Sequence, residues 1–543
     1  MNRFVFQKEG KPFFPVGAQV HNSSGFHTAE LSRAFRALEI INANTVAIPV
    51  YWNMVEPAEN EFCFDEVGRI VKAVRDKGYS LILLWFGTWK NGGFEYVPEW
   101  VKKDRTRFER VKNGLGMDLA VLSSFCANNL EADKKAFCEF VSFIKGIDEK
   151  DRTVIGIQVE NEAGIASGCT RDYSGRAEEM YKGNVPEELI RSIADTAEGF
   201  VYRVWLQNGK RINRSWEETF GKYGAEYFSA FSIAGYIEEI ARGGKEIYDI
   251  PMYTNVWLDG TEWDIPGLSY PSGAAVSKAL DIYKYAAKHL DLIAPDIYLS
   301  DIDDYRSCCL TYSREDNPLF VPESGPSEWN SRFLFEAVAN YDATGYFLFG
   351  AEGILNERDE ADPACYHIIN SLTALRAVSD ILPQYLYTNR MKAINQSEYA
   401  KVQRFEFANY LVMAVFVHCH ACVGTNDTSW NWQDHYHKYY RNNNQTCEQR
   451  GRGLIIETGP REFIACGCDY RLLFIDRRNI NPHIANHIMS ERMIATSAEY
   501  LSIEEGEFID GSFITKRRRS GDESDFGVWV QADIGAVRVR LNE

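Results

Sequence analysis

Short apolar runs alternate with longer amphipathic stretches up to about residue 380, and this alternation is the chain's first structural signal. Residues 13–20 form an apolar strand candidate ending at His21-Asn22, and a helix follows from about Thr28 to Ile41 with Leu31, Phe35, Leu38 and Ile41 on one face. Asn44 to Trp52 reads as a second strand. A helix from about Phe64 to Lys77 follows, stopped by Gly78. Ser80 to Phe86 is a third strand, with the loop 87–92 behind it and a helix around Glu131 to Lys145. The run from Val154 to Gly164 is a fourth strand, nearly uncharged until it ends in Glu160-Asn161-Glu162. Beyond a helical insertion at about 165–250 come further strand candidates at 251–257, 292–298, 318–323 and 344–350, then a helix from about Cys365 to Ile381.

Eight strands alternating with helices predict an α/β fold, a (β/α)8 barrel over residues 1–383. A doubly wound open sheet is the alternative, but the glycine-rich phosphate loop expected after its first strand is missing. After Leu382-Pro383 the texture changes to short alternating strands, such as 402–407, 411–418, 453–460, 527–533 and 536–541, which predict a β-sandwich over 384–543.

A net charge of −18 disfavours nucleic acid or an anionic membrane as partner, and no stretch is long and apolar enough to span a bilayer. The basic run Lys516–Arg519 reads as a solvated hairpin tip. With no leader-like N-terminus and twelve scattered cysteines, the expectation is a cytoplasmic protein with reduced thiols. His418-Cys419-His420-Ala421-Cys422 continues a strand without a second ligand pair, so no metal site is expected there.

In a (β/α)8 barrel the chemistry sits at the C-terminal ends of the strands. Those ends carry Gln19 and Asn22, Trp52, Trp85, Glu160-Asn161-Glu162, Asn255 and Trp257, Asp296 and Tyr298, Glu323, and Phe349 and Glu352, with Trp89 in the loop after the third strand. Indole faces with amides and acids suit a neutral polyol. Alternation puts Glu160 and Glu162 on one face and Asn161 on the other, unless the turn at Ala163-Gly164 twists the last residue away; one Glu would then line a pocket while the other braces it. Glu323 ends the seventh strand and faces Glu162 across the mouth. Two carboxylates about 5 Å apart there would let one attack an anomeric carbon while the other protonates the departing oxygen, with Asn161 placed to hold the sugar 2-hydroxyl.

Ile157-Gln-Val-Glu-Asn-Glu-Ala-Gly resembles the fourth-strand signature of clan A glycoside hydrolases, in the form found in family 35 β-galactosidases. Tyr51-Trp-Asn-Met-Val-Glu-Pro-Ala-Glu-Asn-Glu-Phe-Cys-Phe-Asp resembles a second-strand motif shared by families 35 and 42, and Pro322-Glu323-Ser324-Gly325 resembles the nucleophile motif. The resemblance implies a retaining β-galactosidase with Glu162 as acid/base, Glu323 as nucleophile, Asn161 at the 2-hydroxyl and Tyr298 hydrogen-bonded to the nucleophile. Ala163 departs from the Tyr common in family 35, and no Trp follows Glu323 before Trp329. The C-terminal part resembles the β-domain appended to a bacterial subgroup of such enzymes, and its Trp430, Trp432 and His435 are candidates to reach a ligand.

The expected partner is therefore an oligosaccharide, with no metal or organic cofactor, and a homo-oligomer stays open. Further substrate contacts are expected from Glu160, Gln19, Asn22, Trp52, Trp85, Trp89, Asn255 and Trp257. The rival readings are a clan A enzyme for glucosides, mannosides or xylosides, a non-catalytic carbohydrate-binding barrel, and a metal-dependent barrel lyase or isomerase.

Overall fold

Strands β1 (Val16–Gln19), β2 (Thr45–Tyr51), β3 (Ser80–Lys90), β4 (Val154–Asn161), β5 (Met252–Trp257) and β6 (Leu292–Asp296) pair in parallel in sequence order. β7 (Tyr346–Phe349) pairs in parallel with β1. The computed structural model describes residues 4–260, 263–398, 400, 402–416, 450–479, 498–524 and 527–542. The gap between β6 and β7 is filled by the extended segment 319–324. Glu323 C=O accepts from Ile297 N–H at 2.9 Å on one side, and Val321 C=O accepts from Phe347 N–H at 2.9 Å on the other. Pro318 and Pro322 have no N–H to donate, which leaves this stave bridged rather than continuously laddered. The ring is therefore closed: the fold is a (β/α)8 barrel, as the alternation of apolar runs and amphipathic helices predicts.

Side-chain parity along the strands divides the apolar residues into two cores. Ala47 and Tyr51, Ile82, Leu84 and Phe86, Tyr253, Leu292, Ala294, Phe320 and Phe347 fill the lumen, joined by Phe6 of the N-terminal segment. Val46, Ile48, Val50, Leu81, Leu83 and Trp85 point the other way, into the helical layer. The helices Thr28–Ile40, Asp65–Asp76 and Ala127–Asp148 lie where the apolar periodicity placed them. Five helices between Gly175 and Ile247 form the insertion after β4.

Beyond the barrel a six-stranded and a four-stranded antiparallel sheet enclose a second core of Ile394, Phe405, Val412, Ile455, Phe463, Phe474 and Val539. This is the expected C-terminal β-sandwich. The basic run 516–519 does not form a hairpin tip. Lys516, Arg517 and Arg518 lie within the strand Ser512–Arg518 and are followed by Arg519, opposite an acidic partner strand: Lys516 pairs with Glu507 at 2.9 Å, and Arg517 and Arg519 each pair with Glu505 at 2.9 Å. Residues 418–422, Trp430, Trp432 and His435 lie outside the described residues. Among the described residues, no helix is long and apolar enough to cross a membrane.

The barrel and the sandwich share buried polar contacts. Arg452, on the six-stranded sheet, donates to Ser371 Oγ at 2.9 Å and His367 C=O at 3.2 Å on the barrel's last helix, and pairs with Asp469 at 3.3 Å. Replacing one partner of such a buried set strands the others away from water. Arg452→Leu is expected to lower stability by about 3–5 kcal/mol in urea unfolding, with loss of the coupling between the two parts seen as a broadened or split transition.

Candidate active site

The end of β4 leaves regular strand geometry. Glu160 has φ +62° and Glu162 φ +46°, both in the left-handed region that non-glycine residues rarely occupy. This breaks the expected alternation, and the two carboxylates separate. Glu160 turns outward to Asp133 of the helix Ala127–Asp148 and accepts from Thr88 N–H at 3.2 Å and Trp89 N–H at 2.7 Å. Glu162 turns into the barrel mouth. Its backbone N–H donates to Asn255 Oδ1 at 2.9 Å, so β5 fixes the bend. Glu160 therefore braces the loop after β3 and is not among the residues lining the cavity.

The mouth holds a cavity of about 420 Å³ lined by Glu162, Glu323, Asp296, Tyr298, Trp257 and Lys90, together with Asn22, Asn91 and other loop residues. Glu162, Asp296 and Glu323 are all buried, and each presents a carboxylate oxygen within 4.8 Å of the other two. Tyr298 O–H donates to Glu323 Oε2 at 2.9 Å. Asn255 Nδ2 donates to Asp296 Oδ2 at 2.8 Å and lies 3.4 Å from Asn161 Oδ1, while Asn161 Nδ2 donates to Asn91 Oδ1 at 3.2 Å. Asn161 and Asn255 are thus one amide network under the acids.

Burial and the charge of Glu323 push the Glu162 carboxyl up to about 7, against a pull in the opposite direction from Lys90. Burial also raises Glu323, but Lys90, the Tyr298 hydroxyl and the Gln19 amide work against that rise and favour its ionised form. Asp296 is raised well above the carboxylate range by burial and by the charges of Glu323 and Glu162. A trio of carboxylates at this spacing resembles a divalent-cation cage, but the Lys90 ammonium already faces all three as their counter-charge.

Three of the tryptophans named from the sequence do not reach the cavity. Trp85 has outward parity on β3, stacks on Phe140 and donates to Asp133 at 2.9 Å. Trp52 is buried at the start of a short helix, donating to Glu56 at 2.9 Å. Trp89 packs edge-on against Tyr236 of the insertion. Trp257, by contrast, lines the cavity and is 40% exposed. Gln19 lies below the cavity against Glu323, and Asn22 is at the rim. Sequence reasoning assigned no role to Lys90 or Asp296. For Lys90 the signal was present: it is the single charge in the otherwise uncharged run Ser80–Lys90.

Residues 369–531 match the model of a family described as "Domain of unknown function (DUF5597)". No curated protein matches the chain. Similar solved structures include a β-galactosidase from Bacillus circulans sp. alkalophilus, at 14% identity and TM-score 0.48, over 69% of this chain and 57% of that one. The catalytic domain of a β-amylase from Paenibacillus polymyxa aligns at 12% identity and TM-score 0.47, over 65% of this chain and 96% of that one. An exo-β-1,4-mannosidase from Opitutaceae bacterium strain TAV5 aligns at 13% identity and TM-score 0.43, over 70% and 63%. The chain thus spans less than two thirds of the galactosidase's length.

The raised Glu162 carboxyl has a stability consequence. Between its ordinary value of 4.5 and about 7 the folded protein holds a proton that the unfolded chain releases. That contribution is complete below 4.5 and is lost as pH rises through about 7. Glu162→Gln should therefore be more stable than wild type at about pH 8, by on the order of 2–3 kcal/mol, with the difference shrinking toward about pH 5 in urea unfolding.

Proposed function

We propose that the chain is a retaining exo-β-glycosidase, a β-galactosidase in its first expected specificity, with Glu162 as acid/base and Glu323 as nucleophile. The observation that carries this reading is the pair of buried carboxylates with oxygens within 4.8 Å of each other at facing strand ends, each in a different environment. Retaining enzymes place their two carboxyl groups about 5–5.5 Å apart, whereas inverting ones leave room for a water at about 6.5–9.5 Å. The Tyr298 hydroxyl and Lys90 favour an ionised Glu323, ready to attack. Glu162, raised to about 7, is protonated at mildly acidic pH and able to donate.

Glu162 gives its proton to the glycosidic oxygen as that oxygen leaves and a Glu323 oxygen bonds to the anomeric carbon. Water then attacks the same carbon, Glu162 takes the water's proton, and Glu323 departs. Asn161, the residue expected at the 2-hydroxyl, is fully buried, tied to Asn91, Asn255 and Gln158, and is not among the residues lining the cavity, so its contact with a sugar requires that network to open. Trp257 offers an indole face for the sugar or its aglycone. The three sequence motifs resembling clan A signatures support the same assignment, and glucosides, mannosides and xylosides are the alternative substrates.

The test is hydrolysis of nitrophenyl β-galactoside by wild type, Glu162→Ala and Glu323→Ala, with and without azide. Glu162→Ala should lose on the order of 10²–10⁴-fold and be rescued as the β-glycosyl azide. Glu323→Ala should be inactive and be rescued as the α-glycosyl azide. Wild type that turns over no member of a glycoside panel would overturn the reading.

A further inference from the structure

Asp296 is 3% exposed, deeper than Glu162 at 8% or Glu323 at 5%, and the two-carboxylate mechanism gives it no task. Its Oδ2 accepts from Asn255 Nδ2, while Oδ1 is buried and meets no N–H or O–H donor. Asp296 and Glu162 present carboxylate oxygens within 4.8 Å of each other, an approach that disfavours a charge on both and favours one of them carrying a proton. Asn255 holds the pair in place, since its Oδ1 takes the Glu162 N–H and its Nδ2 the Asp296 oxygen.

The groups around Asp296 indicate which partner keeps that proton. Glu323 and Glu162 face it with like charge, and Lys90 on β3 is the facing cation. Tyr298, Tyr253 on β5, and Cys308 and Tyr312 of the helix Ile302–Tyr312 feel its charge and bring no cation, and Asp259, which lines the same cavity, is itself paired with Lys278 at 3.3 Å. Glu323 has the Tyr298 hydroxyl, whereas Asp296 has one amide donor and the deepest burial. A carboxyl in that position is the one that stays neutral.

We propose that Asp296 is a positioning residue held as a neutral carboxylic acid, its O–H donated to a Glu162 oxygen. The role in turnover rests on the glycosidase reading; the protonation state does not. When Glu162 passes its own proton to the leaving oxygen, the Asp296 hydrogen bond stabilises the carboxylate left behind and aims its free oxygen at the incoming water. Asp296 keeps its proton throughout, so the transfers still balance between Glu162, the leaving group and water.

The first measurement is ¹³C NMR of the full chain labelled at aspartate Cγ, with Asp296 assigned by the resonance missing in Asp296→Asn. A protonated carboxyl shift, unchanged between about pH 5 and pH 8, is expected; an ionised shift at neutral pH would overturn the proposal. The second uses two variants whose folding is checked by thermal melting. Asp296→Asn keeps an acceptor for Asn255 and an N–H donor for Glu162, so its kcat/KM should stay within about threefold of wild type with the basic limb of its pH profile unmoved. Asp296→Val keeps similar bulk without the donor, and should lose about 10–100-fold in kcat on an alkyl glycoside, with KM little changed and a smaller loss on a dinitrophenyl glycoside. A basic limb that falls by a unit or more in Asp296→Asn would mean an ionised Asp296 and would sink the idea. If wild type hydrolyses no glycoside, the functional reading fails by itself, and the NMR result still decides the state of Asp296.

Discussion

Glu162, Asp296 and Glu323, buried with oxygens within 4.8 Å of one another and with Lys90 in the same cavity, are costly to ionise together, and much of the barrel mouth follows from that constraint. Each acid has different neighbours: the Tyr298 hydroxyl donates to Glu323, the Asn255 amide N–H donates to Asp296, and the Asn255 amide oxygen accepts from the backbone N–H of Glu162. Those unequal contacts favour unequal proton affinities in the three acids. These chemically similar groups acquire unlike surroundings because they stand at the ends of β4, β6 and the stave 319–324, each beside different residues.

The bend that delivers Glu162 is held in place by its surroundings. Left-handed backbone at both Glu160 and Glu162 is unfavourable for residues with a Cβ, and it persists because the Glu160 carboxylate is bonded to Thr88 and Trp89 while Asn255 takes the Glu162 N–H. The buried Asp133–Glu160 pair outside the barrel and the acids inside it are thus two sides of one device.

Most of the barrel was legible in the sequence because buried parallel strands and amphipathic helices have distinct periods, as at Thr45–Tyr51 and Asp65–Asp76. Glu162, Glu323 and Tyr298 were legible because they end strands. What was not legible depended on parity near a bend. Trp85 looked like a rim aromatic, yet it shares the outward phase of Leu81 and Leu83, and Glu160 left its expected face when the backbone turned left-handed. The seventh stave could be read as apolar, but its two prolines meant that its pairing would be intermittent. Lys90 was overlooked because a charge at the end of an apolar run resembles a solvated loop residue until the strand is seen to continue to it.

Phe6 enters the lumen beneath Phe320, and the rings of Tyr253 and Phe347 pack edge-on against Phe320 above it. These aromatic rings stopper the barrel from the side opposite the acids. The cavity among the acids meets solvent where Trp257 and Tyr298, 40% and 44% exposed, stand, so a fragment leaving on that side competes directly with arrival of the next molecule.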